Sequence, residues 1–138
     1  MQKIANTDTH ILAVDTSKNR IYFTVSGKSL LESPTFVQDW EQAQCLVSPG
    51  FTVLTDVSRI QQLTKDWVVT SVRLYKMLVL AGLAAVAEIL SEHVATRRHI
   101  NQVNRISKNC YTKEEIFTDR KIAEAWLNRI STRILKGK

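Results

Sequence analysis

The chain is short of the residues that punctuate, staple or catalyse. Four glycines and two prolines among 138 residues leave little room for flexible linkers or for a glycine-rich phosphate cradle. Two cysteines, Cys45 and Cys110, stand far apart with no CxxC pair, which supports neither a disulfide framework nor a structural zinc site. Met1 to His10 is polar and holds no apolar secretory core. The least polar run, Met77 to Ala87, is broken by Gly82 and is too short to span a bilayer. There is no GxSxG elbow and no HExxH pair. These absences predict a soluble, cytoplasmic, non-enzymatic protein with no cofactor and no metal.

What is present suits one domain with a continuous core. Hydrophobic residues make up 44% and charged residues 23%, an ordinary globular balance. The net charge is +6, and its positives gather late, at Arg97, Arg98, Arg105, Lys108, Arg120, Lys121, Arg129, Arg133, Lys136 and Lys138. Such a surface attracts nucleic acid or anionic lipid, but a solvated set of helix faces carries the same charge, and no nucleic-acid motif accompanies it.

Residue periodicity orders the chain. Strands are expected at Thr9 to Asp15 and Arg20 to Ser26, joined by the polar turn Thr16 to Asn19. In the second strand Ile21, Phe23 and Val25 face one way, Tyr22, Thr24 and Ser26 the other. Ser33-Pro34 opens a helix with the stripe Phe36, Trp40, Ala43, Val47. A strand over Phe51 to Asp56 leads to a helix over Lys65 to Ala81, capped by Thr64 and ended at Gly82. That helix is apolar around most of its circumference and is expected to be the most buried. Leu83 to Leu90 reads as a central strand covered on both sides, with alanines allowing close helix approach. A helix over Thr96 to Lys108, a strand over Glu115 to Thr118 and a last helix follow, the last with the stripe Ile122, Ala125, Trp126, Arg129, Ile130, Ile134. The order ββαβαβαβα predicts a single-domain α/β fold, a mixed sheet with helices packed mainly on one face.

Pro49-Gly50-Phe51-Thr52-Val53-Leu54-Thr55-Asp56 marks the strand-to-helix loop where α/β proteins place their working surface. That string, with Asn19-Arg20-Ile21-Tyr22-Phe23, Met77 to Leu83, and Ile116-Phe117-Thr118-Asp119 before Ala123 to Leu127, resembles the SpoIIAA-like branch of the STAS domains over nearly the full length. The resemblance implies a non-enzymatic binding module. In anti-sigma antagonists of this family the loop before the second helix carries an Asp-Ser-Ser-Gly phosphorylation motif. Here that window reads Thr64-Lys65-Asp66-Trp67, so the serine switch is not expected, and Thr64 has a structural reason to exist as a helix cap.

Candidate chemistry is sparse. Cys45 and Cys110 have no neighbouring histidine and read as inert thiols. Glu88, Glu92, His93 and His99 match no metal-site spacing. Asp56 and Asp66 flank one loop, where the acidic pair binds a cation or positions a base, or a strand-end aspartate caps its own turn, the favoured role. Arg97 and Arg98 open a helix, against its dipole; recognition of an acidic partner or an anionic ligand explains this, and so does pairing with Glu88, Glu92 or Asp66.

The leading expectation is a regulatory module that binds a protein partner through Asp56, Ser58, Thr64, Lys65 and Asp66, with Arg97 and Arg98 nearby. The alternative is a lipid-carrier-like domain binding a small apolar or anionic ligand beside the apolar second helix. Nucleic-acid binding through Arg97, Arg98 and Arg105 ranks third. A homodimer is also expected if helices cover one side of the sheet and Tyr22, Phe23 or Trp126 need a second subunit to exclude water.

Overall fold

Six strands hydrogen-bond in sequence order to form one mixed sheet: β1 (Gln2–Asn6), β2 (His10–Asp15), β3 (Arg20–Val25), β4 (Thr52–Asp56), β5 (Ala85–Ile89) and β6 (Lys113–Phe117). The computed structural model describes residues 1–26, 35–60, 65–92 and 112–136, apart from the side chains of 65–68, 135 and 136. β1, β2 and β3 are antiparallel neighbours, and β3 through β6 run parallel. The described helices are α1 (Phe36–Gln44), α2 (Lys65–Leu80) and α3 (Arg120–Lys136). The expected helix over Thr96 to Lys108 and the Ser33-Pro34 start lie outside the described residues.

The alternation read in β3 decides which layer each residue joins. Ile21, Phe23 and Val25 enter a core with Val53, Val86, Trp40 and Leu78, under α1 and α2. Tyr22 enters the opposite core with Leu54, Ala87, Ala123, Leu127 and Ile130, under α3. The helices therefore cover both faces, with α3 alone among the described helices on the second. Tyr22 and Phe23 are 6% and 1% exposed within the single chain. Neither of these two aromatics therefore needs a second subunit to exclude water. Trp126 is half-buried and packs on Phe117 at 5.6 Å between ring centroids.

β5 is buried along its whole length, as a central strand between two helix layers must be. The alanines Ala85 and Ala87, both fully buried, sit on the α3 side, where the absence of bulk brings that helix close.

Three expectations are corrected. β1 falls in a segment read only as polar; it holds just Ala5 buried and Ile4 partly so, too few apolar residues to show a period, and its pairing with β2 is what makes it a strand. The apolar circumference of α2 is not all enclosed: Val69, Val72 and Leu80 are exposed at 41%, 41% and 90%, while Thr70, placed on the polar side, is buried. In α3 the seat on the sheet is Ala123, Leu127 and Ile130, whereas Ile122, Ala125 and Arg129 are exposed. Small Ala123 fits close to the alanines of β5, so the helix is rotated from the face that bulk alone suggests.

Two glycines carry the joint between α1, β4 and α2. Gly82 has φ +101°, and a Cβ there would lie 2.8 Å from Pro49 Cα and Cβ. The Gly50 N–H donates to the Gly82 carbonyl at 2.8 Å, holding the two turns in contact. Gly50 has φ +92°, but a Cβ there would meet only Ile134 Cγ2 at 3.7 Å. Gly50→Ala is therefore expected to cost about 1–3 kcal/mol from backbone strain alone. Gly82→Ala should cost visibly more, because it also pushes on backbone. Urea unfolding of the two variants checks the order, and equal midpoints would contradict it.

Candidate functional site

The carboxyl ends of parallel strands are where an α/β sheet leaves a crevice. Here Asp56, Ile89 and Phe117 end β4, β5 and β6 in register with Thr24, the penultimate residue of β3. Asp56 Oδ1 accepts the Ser58 backbone N–H at 3.0 Å and the Ser58 hydroxyl at 2.6 Å. This is an Asx turn, the capping use foreseen for a strand-end aspartate. Asp56 Oδ2 stands 3.9 Å from Arg120 Nη1, and the Arg120 guanidinium carbon lies 5.8 Å from the Tyr22 ring centroid. Val57 is fully buried and donates its N–H to the Ile89 carbonyl at 2.9 Å, and Ile60 donates to Val57 at 3.0 Å. Residues 56–60 thus form a fixed ledge at the strand exit.

Of the expected site residues, Asp56 and Ser58 are brought into direct contact. Lys65 and Asp66 open α2, their side chains outside the described residues. Thr64, Arg97 and Arg98 also lie outside them. Glu92 is exposed, and among the described residues no group of three His, Cys, Asp or Glu side chains could hold a metal ion. Cys45 is an exposed free thiol.

The strongest polar constellation was not foreseen. Arg20, fully buried at the start of β3, donates from Nε to Thr52 Oγ1 at 2.8 Å, from Nη1 to Asn128 Oδ1 at 2.9 Å and from Nη2 to Ser131 Oγ at 3.3 Å. Its Nη1 also stands 3.4 Å from Glu124 Oε2, an ion-pair distance without hydrogen-bond alignment. Glu124 Oε1 accepts the Tyr22 hydroxyl at 2.5 Å and Lys18 Nζ at 3.2 Å. A trace was legible: Glu124, Asn128 and Ser131 recur at four- and three-residue spacing, a polar stripe beside the apolar one.

Burial, aided by the hydrogen bond to Glu124, pushes the Tyr22 phenol up to about 12. Partial burial pushes Glu124 upward too, but the Tyr22 hydroxyl, Lys18 and Arg20 outweigh it and hold its carboxyl below the usual range. These groups serve to lock α3 onto the sheet. Each guanidinium nitrogen of Arg20 donates to a side chain of the protein itself, the arrangement of a structural anchor.

On the opposite face a cavity of about 50 Å³ lies between α2 and the sheet. Thr55, Glu88, Ser71 and Tyr75 contribute its polar wall, Phe23, Leu74 and Leu78 its apolar one. Its volume suits a few water molecules and not a lipid. Glu88 is 5% exposed there, the one acidic residue of the buried central strand. Among the described residues the Trp40 indole N–H, in the wall of the same cavity, has no hydrogen-bond partner.

A third cluster has the outline of a nucleophilic site. Thr9 Oγ1 is 2.7 Å from His10 Nδ1, and His10 Nε2 is 2.9 Å from Asp39 Oδ2. The His10 side chain is wholly buried, edge-on to Phe23 and Phe36. The Thr7 hydroxyl accepts the N–H groups of Thr9 and His10, which takes up the donors an oxyanion would need. The cluster instead ties the β1–β2 turn to the first turn of α1, where Thr35 Oγ1 also donates to Asp39 at 3.0 Å.

Comparison of the chain with family models, curated proteins and solved structures gives no match.

Two outcomes follow from the Arg20 network. Arg20→Ala removes a buried cation from four partners and should cost about 3–5 kcal/mol in chemical unfolding. A loss under about 1 kcal/mol would show that the network is incidental. The Tyr22 phenol, raised when folded, contributes stability that is intact below pH 10 and is lost as pH rises towards 12. Tyr22→Phe should flatten this alkaline fall; Glu124→Gln should flatten part of the acid-side fall, because a lowered carboxyl stabilises above its unfolded value and stops as pH drops through its folded one. Stability curves against pH for the three proteins check both signs.

Proposed function

We propose that this chain is a non-catalytic interaction module of the STAS-like type, engaging a protein partner through the loop from Asp56 to Asp66 and the start of α2. The observation that carries the reading is the ledge at the exit of β4. Asp56 and Ser58 are fixed against one another, part-exposed, and flanked by Arg120 from the other face of the sheet. Such a ledge offers a partner a preordered polar surface, so little entropy is lost on docking. The two constellations with catalytic outlines, around Arg20 and around His10, are engaged in holding helices to the sheet. The order of elements and the strings quoted above also fit the SpoIIAA-like resemblance, with the serine switch replaced by Thr64-Lys65-Asp66-Trp67.

Affinity capture with the intact chain tests this reading. A partner retained by the native chain should be lost by a variant carrying Ser58→Ala, Thr64→Ala and Lys65→Ala, with its thermal unfolding cooperative as in the native chain. An empty capture, or the same partners on both proteins, would overturn it.

A further inference from the structure

At the amino ends of the parallel strands, opposite the ledge, lies a cleft of about 420 Å³. That is within the range of small-molecule sites, roughly 300–1,000 Å³. It opens between the β2–β3 turn, the loop from α1 to β4, and the last turns of α3. We propose that this cleft binds a small carboxylate bearing a short apolar body.

The chemistry of the walls sets the class. Leu46, Pro49 and Ile134 supply apolar lining, and Thr16, Ser48 and Ser131 add hydroxyl-bearing residues. Among the described residues Lys18 is the one charged side chain in the lining, and no carboxylate lines it. The Lys18 side chain is 44% exposed, and its ion pair with Glu124 at 3.2 Å is of the half-exposed kind that contributes little. Its ammonium can therefore turn to an incoming anion without a large loss. Ser131 lines the cleft, and the Arg20 N–H that it accepts does not use its own O–H.

The walls are also held in place, which lowers the cost of binding. Asn19 takes a left-handed φ of 54° and bridges to the facing loop twice: its Nδ2 donates to the Ser48 carbonyl at 3.0 Å, and its Oδ1 accepts the Ser48 N–H at 2.9 Å. Asp15 fixes the other side of the turn by accepting the N–H groups of Ser17 and Lys18 and the Ser17 hydroxyl. Neither latch spends the Lys18 ammonium or the Ser48 hydroxyl.

The probe is octanoate, titrated into the isotope-labelled full chain, with octanol as the uncharged match and acetate as the anion without a body. Octanoate should shift the amide signals of Lys18, Asn19, Ser48 and Ser131 saturably, and both controls should bind more weakly. Lys18→Ala should weaken octanoate about tenfold, the scale of one charge-assisted hydrogen bond. Ser48→Phe, which fills the mouth while leaving the backbone latch, should abolish the shifts. In a Cys110→Ser background, octanoate should also slow iodoacetamide alkylation of Cys45, the exposed thiol of the cleft wall. Absence of saturable shifts, shifts centred elsewhere, equal binding of octanol, or full affinity in Lys18→Ala would overturn the proposal. Partner capture through the 56–66 loop is a separate readout, at the other end of the sheet.

Discussion

A buried guanidinium dictates much of this structure. Arg20 sits at the first position of β3, wholly out of water, and a cation there is tolerable only with its donors occupied. Thr52 on the neighbouring strand supplies one acceptor, and α3 supplies the others from Asn128, Ser131 and Glu124. Those positions lie along one side of the helix, so meeting them fixes both its rotation and its height over the sheet. With that rotation set, Ala123, Leu127 and Ile130 fall on β4 and β5, and Ile122 is left in solvent.

The other face is built differently. There α1 is fastened at its start by His10 and Asp39 and packs Trp40 edge-on against Phe23 at 5.0 Å. α2 meets the sheet partly across a small cavity of mixed lining, with apolar residues left on its outer side. One layer is thus locked by a charge network and the other by aromatic packing beside a small gap. The two working regions proposed above lie at opposite ends of the sheet and share no residue.

Much of the fold was legible because parallel β-strands and their connecting helices leave strong periodic signals. The alternation Ile21, Phe23, Val25 against Tyr22, Thr24, Ser26 sorts residues between two cores, and the unbroken apolar run of β5 marks burial on both faces. Gly82 as a helix terminator was legible for the same kind of local reason, its φ of +101° being open to glycine and costly for other residues. β1 was not, since a short edge strand with one buried residue owes its form to its neighbour. Within the candidate site, the Asp56 turn was readable from strand-end chemistry. The Arg20 cluster showed only as a polar spacing in α3, because Asn128 and Ser131 lie more than a hundred residues from Arg20 in the chain.

By itself the sequence determined most of the described elements, the mixed α/β class, the turn glycines and the capping role of Asp56. Each of these depends on contacts within a few residues, which local residue chemistry controls. Only the tertiary structure decided which face of α2 and α3 meets the sheet, how Arg20 is neutralised, and where a cleft opens beside Lys18. Those depend on partners distant in the chain, where shape and unmet hydrogen bonds outweigh the hydrophobicity of any one stripe.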